Sequence, residues 1–386
     1  MCENQTGTLF GWGAGHTGIL GAGPEEDQPT PQQIPGLPPV SSVVAGGASA
    51  YAIDSNGSVL SWGWDAFCHM LGLGKVSFSK PWLATPLRSM GYEFEDNNAE
   101  DGGVGLPTVV TGLPPVSTLS VAENNVFALT SEGDVWIWGD AFGIGRKARN
   151  NLDRPKKIEA LEGISQIASS LNGATCYLLD ENKQVWSWGN GYEGQLGHGK
   201  LRNQHDPQII PALSNVQSIH ASDLCAFALL EDGTVWFWGN GEFIDLTIRG
   251  TYRIKEPTII DGLSDIASLF VGPSSCLAIN TKGETWAVGE STWESMLNLN
   301  LETRNAHLAR VAELDSLNKY YLGDSHGLAI STDGELLSFG YAEGGGLGNG
   351  CVGEEYFSPI KVQEMSNVIT AAAGIGFSLA IVRNDG

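Results

Sequence analysis

The chain alternates short apolar segments with polar turns in a repeating order. In each unit an apolar run of about five to seven residues leads to an Asx-Gly or Glu-Gly pair, and then to an alternating strand that ends in Trp-Gly or an equivalent. Two strands around a tight glycine turn are typical of a β-hairpin. The pattern therefore predicts many short β-strands and little helix.

Seven segments share this hairpin ending. Their closing glycines are Gly13, Gly63, Gly139, Gly189, Gly239, Gly289 and Gly340, and all intervals but one are 50 or 51 residues. A second motif keeps the same phase, as in Gly36–Val40 and Gly112–Val116. Since a unit of about 50 residues with four strands has the size of one propeller blade, we expect an all-β, seven-bladed β-propeller.

The two ends of the chain complement each other. The segment from Ser378 to Gly386 stops at a hairpin turn, and the strand that should follow it stands at the start of the chain, from Gly7 to Trp12. We predict that the N- and C-terminal strands, near Thr8–Gly11 and Leu379–Arg383, share one blade and close the ring. Closure would remove an exposed sheet edge and make residues 1–386 a single domain.

The one long interval, between Gly63 and Gly139, contains 26 extra residues, which we assign to a loop insertion at 75–107 between repeat two and repeat three. The insertion is acidic and glycine-rich. A long loop on a rigid ring often carries a binding element, and a tolerated insertion is the open alternative.

The charge balance limits the partners. With 21 basic and 44 acidic residues the formal net charge is −23, whereas nucleic-acid binding needs clustered Lys and Arg. No apolar run approaches the ~20 residues of a membrane span. We expect an intracellular monomer, cytoplasmic or nuclear and not secreted, with a protein partner and with neither nucleic acid nor membrane.

Apparent catalytic motifs have simpler interpretations. Gly323–Gly327 matches the nucleophile-elbow pattern, but it leads into a hairpin and not from a strand into a helix, so we expect a core or inter-strand hydrogen bond for His326. The seven histidines show no metal-ligand spacing. We therefore predict no enzyme activity, no metal and no cofactor.

The loops after each Trp-Gly should gather on one face of the ring. They carry many acidic residues and almost no basic ones, namely Asp65, Asp140, Glu193, Glu242, Asp245, Glu290, Glu294 and Glu343. Such a face would attract a basic patch on a partner, although the charges could equally serve solubility alone.

Tryptophans fall into two groups. Those in the repeat register should pack between blades, and they are Trp12, Trp62, Trp138, Trp188 and Trp238 before the glycine and Trp136, Trp186, Trp236 and Trp286 two residues earlier. Trp64, Trp82 and Trp293 fall outside the register, so we assign them to loops as candidates for partner contact.

The repeats resemble those of the regulator of chromosome condensation family over essentially the whole chain. That family carries Gly-x-x-His before the hairpin and Gly-x-x-x-x-x-Leu-Gly after Trp-Gly, which here correspond to Gly323–His326, Gly189–Gly197 and Gly340–Gly348. The resemblance implies a seven-bladed propeller. It also implies an alternative function, guanine nucleotide exchange or regulation of a Ran-type small GTPase, for which only His326 would be carried over. The segment after Trp138-Gly139 is too short for the family's exchange wedge, and the basic tail is missing.

Overall fold

The structure is a computed structural model that describes residues 5–15, 18–21, 26–65, 69–74, 103–122, 124–140, 152–159, 161–169, 174–242, 251–288 and 308–384. The described residues form strands, with short 3-10 segments such as Ala312–Leu314 between some of them. The all-β prediction is confirmed. Among the described residues, no helix combines the length and the apolar character that a membrane span requires.

The strands follow one another as four-stranded antiparallel units, which we name A to G in chain order. The first strand of each unit lies innermost and the fourth outermost. Units A to C comprise β3 (Val40–Ala45), β4 (Ser49–Asp54), β5 (Val59–Trp64) and β6 (Gly103–Val109); β7 (Val116–Val121), β8 (Asn125–Thr130), β9 (Val135–Gly139) and β10 (Leu152–Lys157); and β11 (Ile164–Ser169), β12 (Thr175–Asp180), β13 (Val185–Gly189) and β14 (Gln204–Ile209).

The remaining units follow the same order, except that the last is assembled from both ends of the chain. Units D to G comprise β15 (Val216–Ala221), β16 (Cys225–Leu230), β17 (Val235–Asn240) and β18 (Arg253–Ile259); β19 (Ile266–Val271), β20 (Cys276–Asn280), β21 (Thr285–Val288) and β22 (Leu308–Arg310); β23 (Leu317–Leu322), β24 (His326–Ser331), β25 (Leu336–Tyr341) and β26 (Glu355–Lys361); and β27 (Val368–Ala373), β28 (Phe377–Arg383), β1 (Gly7–Gly13) and β2 (Gln28–Gln33).

The predicted seven separate blades are not observed as seven separate sheets. Units B to F are five separate four-stranded sheets, while units A and G form one eight-stranded sheet. The β-ladder between the two units consists of a single residue pair, Gly7 of β1 and Val40 of β3. The difference arises because the first residue of β1 reaches the innermost strand of unit A.

The predicted closure by the two termini is confirmed. Strand β1 pairs with β28 along its whole length, from Gly7 opposite Arg383 to Gly13 opposite Phe377. Beyond this register the Thr8 hydroxyl donates to the Asn384 side chain at 2.6 Å. The N-terminal strand is therefore the third strand of the last unit and not a free edge.

The tryptophans before the glycine are fully buried between units, as predicted. The rings of Trp138 and Trp238 make edge contacts with Tyr51 and Tyr177 of the preceding units, at centroid distances of 6.4 and 6.0 Å. The other set also packs against buried clusters that span neighbouring units, as predicted, but it is only half buried. The second set lies nearer the hairpin turn, where the Trp186 indole donates to Asp180 at 3.0 Å.

The predicted insertion is shorter than proposed at its C-terminal end. Residues 103–107 belong to β6, the outermost strand of unit A, where Pro107 is tolerated because no further strand needs its missing N–H. Residues 75–102 lie outside the described part of the chain.

Candidate protein-binding face

One end of the units collects turns and loops into a candidate binding surface. In an antiparallel unit, the turn after the first strand and the loop after the third strand lie at the same end. Units D and E are hydrogen-bonded to each other at this end: the Asp223 N–H of unit D donates to the Pro273 carbonyl of unit E at 3.1 Å. The Ser222 hydroxyl donates to the same carbonyl. We call this end the loop face.

An indole of the next unit holds each of four loops. Their N–H groups donate to loop carbonyls of the preceding unit at 2.6–2.9 Å, in the pairs Trp62 to Ile19, Trp138 to Met70, Trp238 to Gln195 and Trp12 to Gly346. Two residues after each carbonyl stands a glycine, at positions 21, 72, 197 and 348, where a Cβ would lie 2.6–3.1 Å from indole atoms. The Trp-Gly and Leu-Gly motifs are therefore the two sides of one contact.

A serine in the third strand holds the same loops from within the unit. The hydroxyls of Ser61, Ser187 and Ser338 donate to the leucine carbonyls of their own loops, Leu71, Leu196 and Leu347, at 2.7–2.8 Å. All three serines are completely buried. Sequence analysis found the Leu-Gly pair in two loops and missed Leu20-Gly21 and Leu71-Gly72, although the register of Trp-Gly could have located them.

Glu193 does not present a free charge on the loop face. Its carboxylate accepts two hydrogen bonds from the Arg253 guanidinium of unit D, at 2.6 and 3.0 Å, and a third from the Asn240 amide at 3.1 Å. Arg253 is not part of such a loop but the first residue of β18, so a strand of the next unit supplies the basic partner. Glu193 connects the loop of unit C to unit D.

Asp65 has an internal role as well. Only 4% of the residue is exposed, and its carboxylate accepts the Leu71 N–H at 2.7 Å. Burial raises the pKa of Asp65 to about 7, although the Leu71 N–H acts in the opposite direction. This carboxyl shapes its loop and offers a partner almost no surface.

Other acidic groups of the loop face remain accessible. Glu242 and Glu343 are exposed, and Asp140 is half buried. Sequence analysis missed two more, Asp223 and Asp324, which lie in the turns after the first strands of units D and F. Partial burial raises the pKa of Asp324, and the negative charge of Asp223 raises it further.

A family model described as the RCC1-like domain matches residues 8–380. The chain belongs to the RCC1-like domain family. The resemblance inferred from the repeats is therefore confirmed over nearly the whole chain.

Curated relatives match about half of this RCC1-like domain. Human E3 ubiquitin-protein ligase HERC2 is 29% identical over 222 residues, which are 55% of this chain and 4% of that protein. RUG3, a mitochondrial RCC1 domain-containing protein of Arabidopsis thaliana, is 30% identical over 214 residues, 54% of this chain and 44% of that protein. The match therefore spans less than half of either relative.

Solved structures establish the architecture. The chain superposes on yeast RCC1 (Prp20), solved bound to Kap60, with a TM-score of 0.81 at 23% identity, covering 99% of this chain and 90% of that one. Human WBSCR16 gives 0.79 at 20% identity, covering 98% and 100%. At these identities the likeness shows the fold alone, and it confirms an all-β propeller.

His326 lies inside the RCC1-like domain and forms a buried hydrogen bond between units F and G. It is fully buried, and its Nε2 lies 2.8 Å from the Ser378 hydroxyl, which donates to the Gly346 carbonyl at 2.8 Å. The Trp12 indole donates to that same carbonyl. Burial lowers the pKa of His326 to about 4, so the ring is neutral near pH 7. The predicted inter-strand hydrogen bond is thus confirmed, and as a partner-binding candidate His326 has no exposed surface.

Trp64 is not in a loop, contrary to prediction. It is the last residue of β5 and is 9% exposed, because the strand continues one residue beyond Gly63. Four other candidates, Trp82, Asp245, Glu290 and Trp293, lie outside the described residues. Within the ranges that are described, no group of three or more His, Cys, Asp or Glu side chains is placed to hold a metal ion.

Proposed function

We propose that this RCC1-like domain is a protein-interaction ring that binds a basic protein partner through its loop face. The observation that carries the proposal is the exposure of Glu242, Glu343 and Asp324 at one end of the ring. Two predicted acids are not among these exposed charges, because Asp65 is buried and Glu193 is paired with Arg253.

The overall charge supports the same choice of partner. A formal net charge of −23 repels nucleic acid and attracts basic protein surfaces over several ångströms beyond contact. Complementary charge acts mainly on the rate of encounter, which falls as salt rises. A basic patch on the partner is therefore the complement that we expect.

Similar propellers support a protein as the partner. Yeast RCC1 (Prp20) was solved with Kap60, and a second Prp20p structure, from Saccharomyces cerevisiae, is described with its binding to Gsp1p and histones. That second structure has a TM-score of 0.79 at 22% identity. These partners belong to Prp20, and for this chain they suggest only the class of molecule to test.

The alternative function is guanine nucleotide exchange, or regulation, on a small GTPase. Gsp1p is named as a binding protein of the similar Prp20p, which makes this class of partner worth a direct assay. Release of a fluorescent nucleotide from a panel of small GTPases would support exchange if the purified chain accelerates it catalytically. Unchanged release across the panel would leave the interaction ring as the function.

We also propose that units A to G are seven blades of one monomeric ring. First strands or first turns of all seven line one axial cavity, through residues such as Ala45, Ser120, Ser169, Ala221 and Val271. Leu322 and Ala373 contribute the last two. The eight-stranded sheet then counts as two neighbouring blades.

Four candidate contact residues lie between third and fourth strands in the sequence, outside the described residues. We keep them as proposed contacts at the loop face, namely Trp82, Asp245, Glu290 and Trp293.

Affinity capture from a cell extract tests the proposed face. We expect the triple variant Glu242→Lys, Glu343→Lys, Asp324→Lys to lose the partner retained by the wild type, and to associate roughly tenfold more slowly at low salt. The control reverses three exposed acids in hairpin turns at the opposite end, Glu132, Glu181 and Asp333. Equal loss in both variants, or in neither, would contradict the assignment.

A further inference from the structure

The ring contains an axial cavity of about 190 Å³ close to the loop face. Its lining comes from the ends of the first strands, immediately before the turns of the loop face, and most of its side chains are apolar, including Val44, Leu119, Val121, Val271 and Leu322. Nothing in the sequence motifs predicts this cavity, because its wall is assembled from residues of all seven units.

The polar side chains of the wall already have partners. Ser120 and Ser169 bond to each other through their hydroxyls at 2.7 Å, and the Ser120 oxygen also accepts the Ser169 N–H at 2.9 Å. The other wall side chains are aliphatic, apart from Gly272 and Pro273, so an aliphatic group placed among them gains packing contacts that water does not make. The volume exceeds that of one leucine side chain.

The rim of the cavity carries acid and one exposed apolar side chain. Asp223 and Asp324 follow the wall residues Ala221 and Leu322 by two positions. Ile375, in the corresponding turn of unit G, is 40% exposed, and its Cδ1 lies 3.8 Å from where a Cβ of Gly47 would stand in unit A. A cavity with mainly aliphatic wall side chains thus has two acidic side chains at its rim, in the turns of units D and F.

We propose that the partner inserts one aliphatic side chain into the axial cavity, from a short basic segment whose flanking lysines or arginines lie against Asp223 and Asp324. This proposal rests on the proposed function and specifies the partner's chemistry. The aliphatic side chain gains affinity by burying its apolar surface in the cavity. The flanking lysines or arginines are attracted by the negative charge of Asp223 and Asp324. A basic segment without the aliphatic group should bind more weakly.

Two synthetic peptides provide the probe. Each has seven residues, with leucine or alanine at the centre and three lysines or arginines on either side. For the wild-type chain we expect the leucine peptide to bind at least about tenfold more tightly, since burying the larger side chain removes more apolar surface from water. Isothermal titration at 50 mM salt measures both.

Variants that fill the cavity test its location. Ala221→Phe and Ala373→Phe each place a ring in the wall, and both should bring the leucine peptide to the affinity of the alanine peptide. Ala312→Phe is the matched control, since Ala312 is exposed in a connection at the opposite end and should keep the tenfold difference. Asp324→Asn should weaken both peptides by about the same factor.

The outcomes separate the two proposals. Equal affinity of the two peptides for the wild type, or a tenfold difference that survives both filled cavities, overturns the inserted side chain while leaving the acidic face intact. Binding of neither peptide at low salt overturns the acidic face and this inference together.

Discussion

The loop after Gly189 and the loop after Gly239 occupy equivalent places in neighbouring units, but the sequence provides different anchors for them. The first is held by Ser187 from its own unit and by Trp238 from the next. At the equivalent positions of the second stand Phe237 and Val288, neither of which has a side-chain donor. The same two repeat positions therefore carry side-chain donors for one loop and none for the other.

The tryptophan of one unit holds the loop of the preceding unit by a hydrogen bond, as Trp238 of unit D does for the loop of unit C. Tyr177 adds to the effect, because its hydroxyl donates at 2.6 Å to the same Gln195 carbonyl that accepts the Trp238 indole. A substitution in one unit should thus be felt in the loop of the unit before it. Substitutions that remove these anchors should lower the free energy of unfolding by different amounts.

Removing the shared indole should have the largest effect. Trp238→Ala should lower the free energy of unfolding by ~3–5 kcal/mol, because it leaves a cavity between units C and D and removes one of the two side-chain hydrogen bonds to the Gln195 carbonyl. The control is Trp236→Ala, in the same strand but half buried, which should cost clearly less. Urea denaturation measures both. A cost below ~1 kcal/mol for Trp238→Ala would show that the units are not held by this packing.

The free energy of unfolding should depend on pH through Asp65, which holds a third loop, the one after Gly63. The folded pKa of Asp65, raised by burial to about 7, exceeds its unfolded value, so the native state retains a proton that the unfolded state has lost. This group should therefore lower stability as pH rises from about 4 to about 7, by on the order of 2–4 kcal/mol.

The substitution Asp65→Asn should remove that decline, because the amide oxygen can still accept the Leu71 N–H. Asp315→Asn is a control of opposite sign, since its hydrogen bond with Arg310 lowers the pKa of Asp315 and its contribution is lost as pH falls. Unfolding curves at pH 5 and pH 8 measure the effect of Asp65→Asn, and a further curve at about pH 3 measures that of Asp315→Asn. Identical pH profiles for wild type and Asp65→Asn would refute the assignment.

Removing the anchor within the unit should have a smaller effect. Ser187→Ala leaves the buried Leu196 carbonyl without its side-chain donor and should cost about 1–2 kcal/mol. Amide hydrogen exchange in residues 190–203 should accelerate more than in unit D. The control is Ser165→Ala, an exposed serine whose hydroxyl donates to the Leu179 carbonyl at 3.0 Å. Unchanged exchange in that loop would assign its order to Trp238 alone.

The hairpin turns of the same two units should give the smallest effect. Lys183 has a φ of +63°, at the position where unit D has Gly233 with a φ of +79°. A lysine in this left-handed region is strained, so Lys183→Gly should stabilise the chain by about 0.5–1 kcal/mol. Lys183→Ala is the control and should give no such gain. A loss of stability with glycine would mean that the lysine side chain matters more than the turn.

The sequence predicts the repeat, the strands and the closure by the termini because each depends on a local pattern. It does not predict which acids are available, because their partners are set by the fold. Arg253 stands 60 residues from Glu193 in the chain. Similarly, strand alternation indicates that Trp236 and Trp238 lie on the same side of their strand. It does not indicate that Trp236, which lies nearer the hairpin turn, is less buried than Trp238.

The most direct test of the proposed loop face is hydrogen exchange with and without the leucine-centred basic peptide. We predict protection of the turns around Asp223 and Asp324 and of the loop around Glu343, with the hairpin turns around Glu132 and Asp333 unchanged. These two groups of amides lie at opposite ends of the units. Protection confined to the hairpin turns would contradict the account, because it would place the binding surface on the opposite face of the ring.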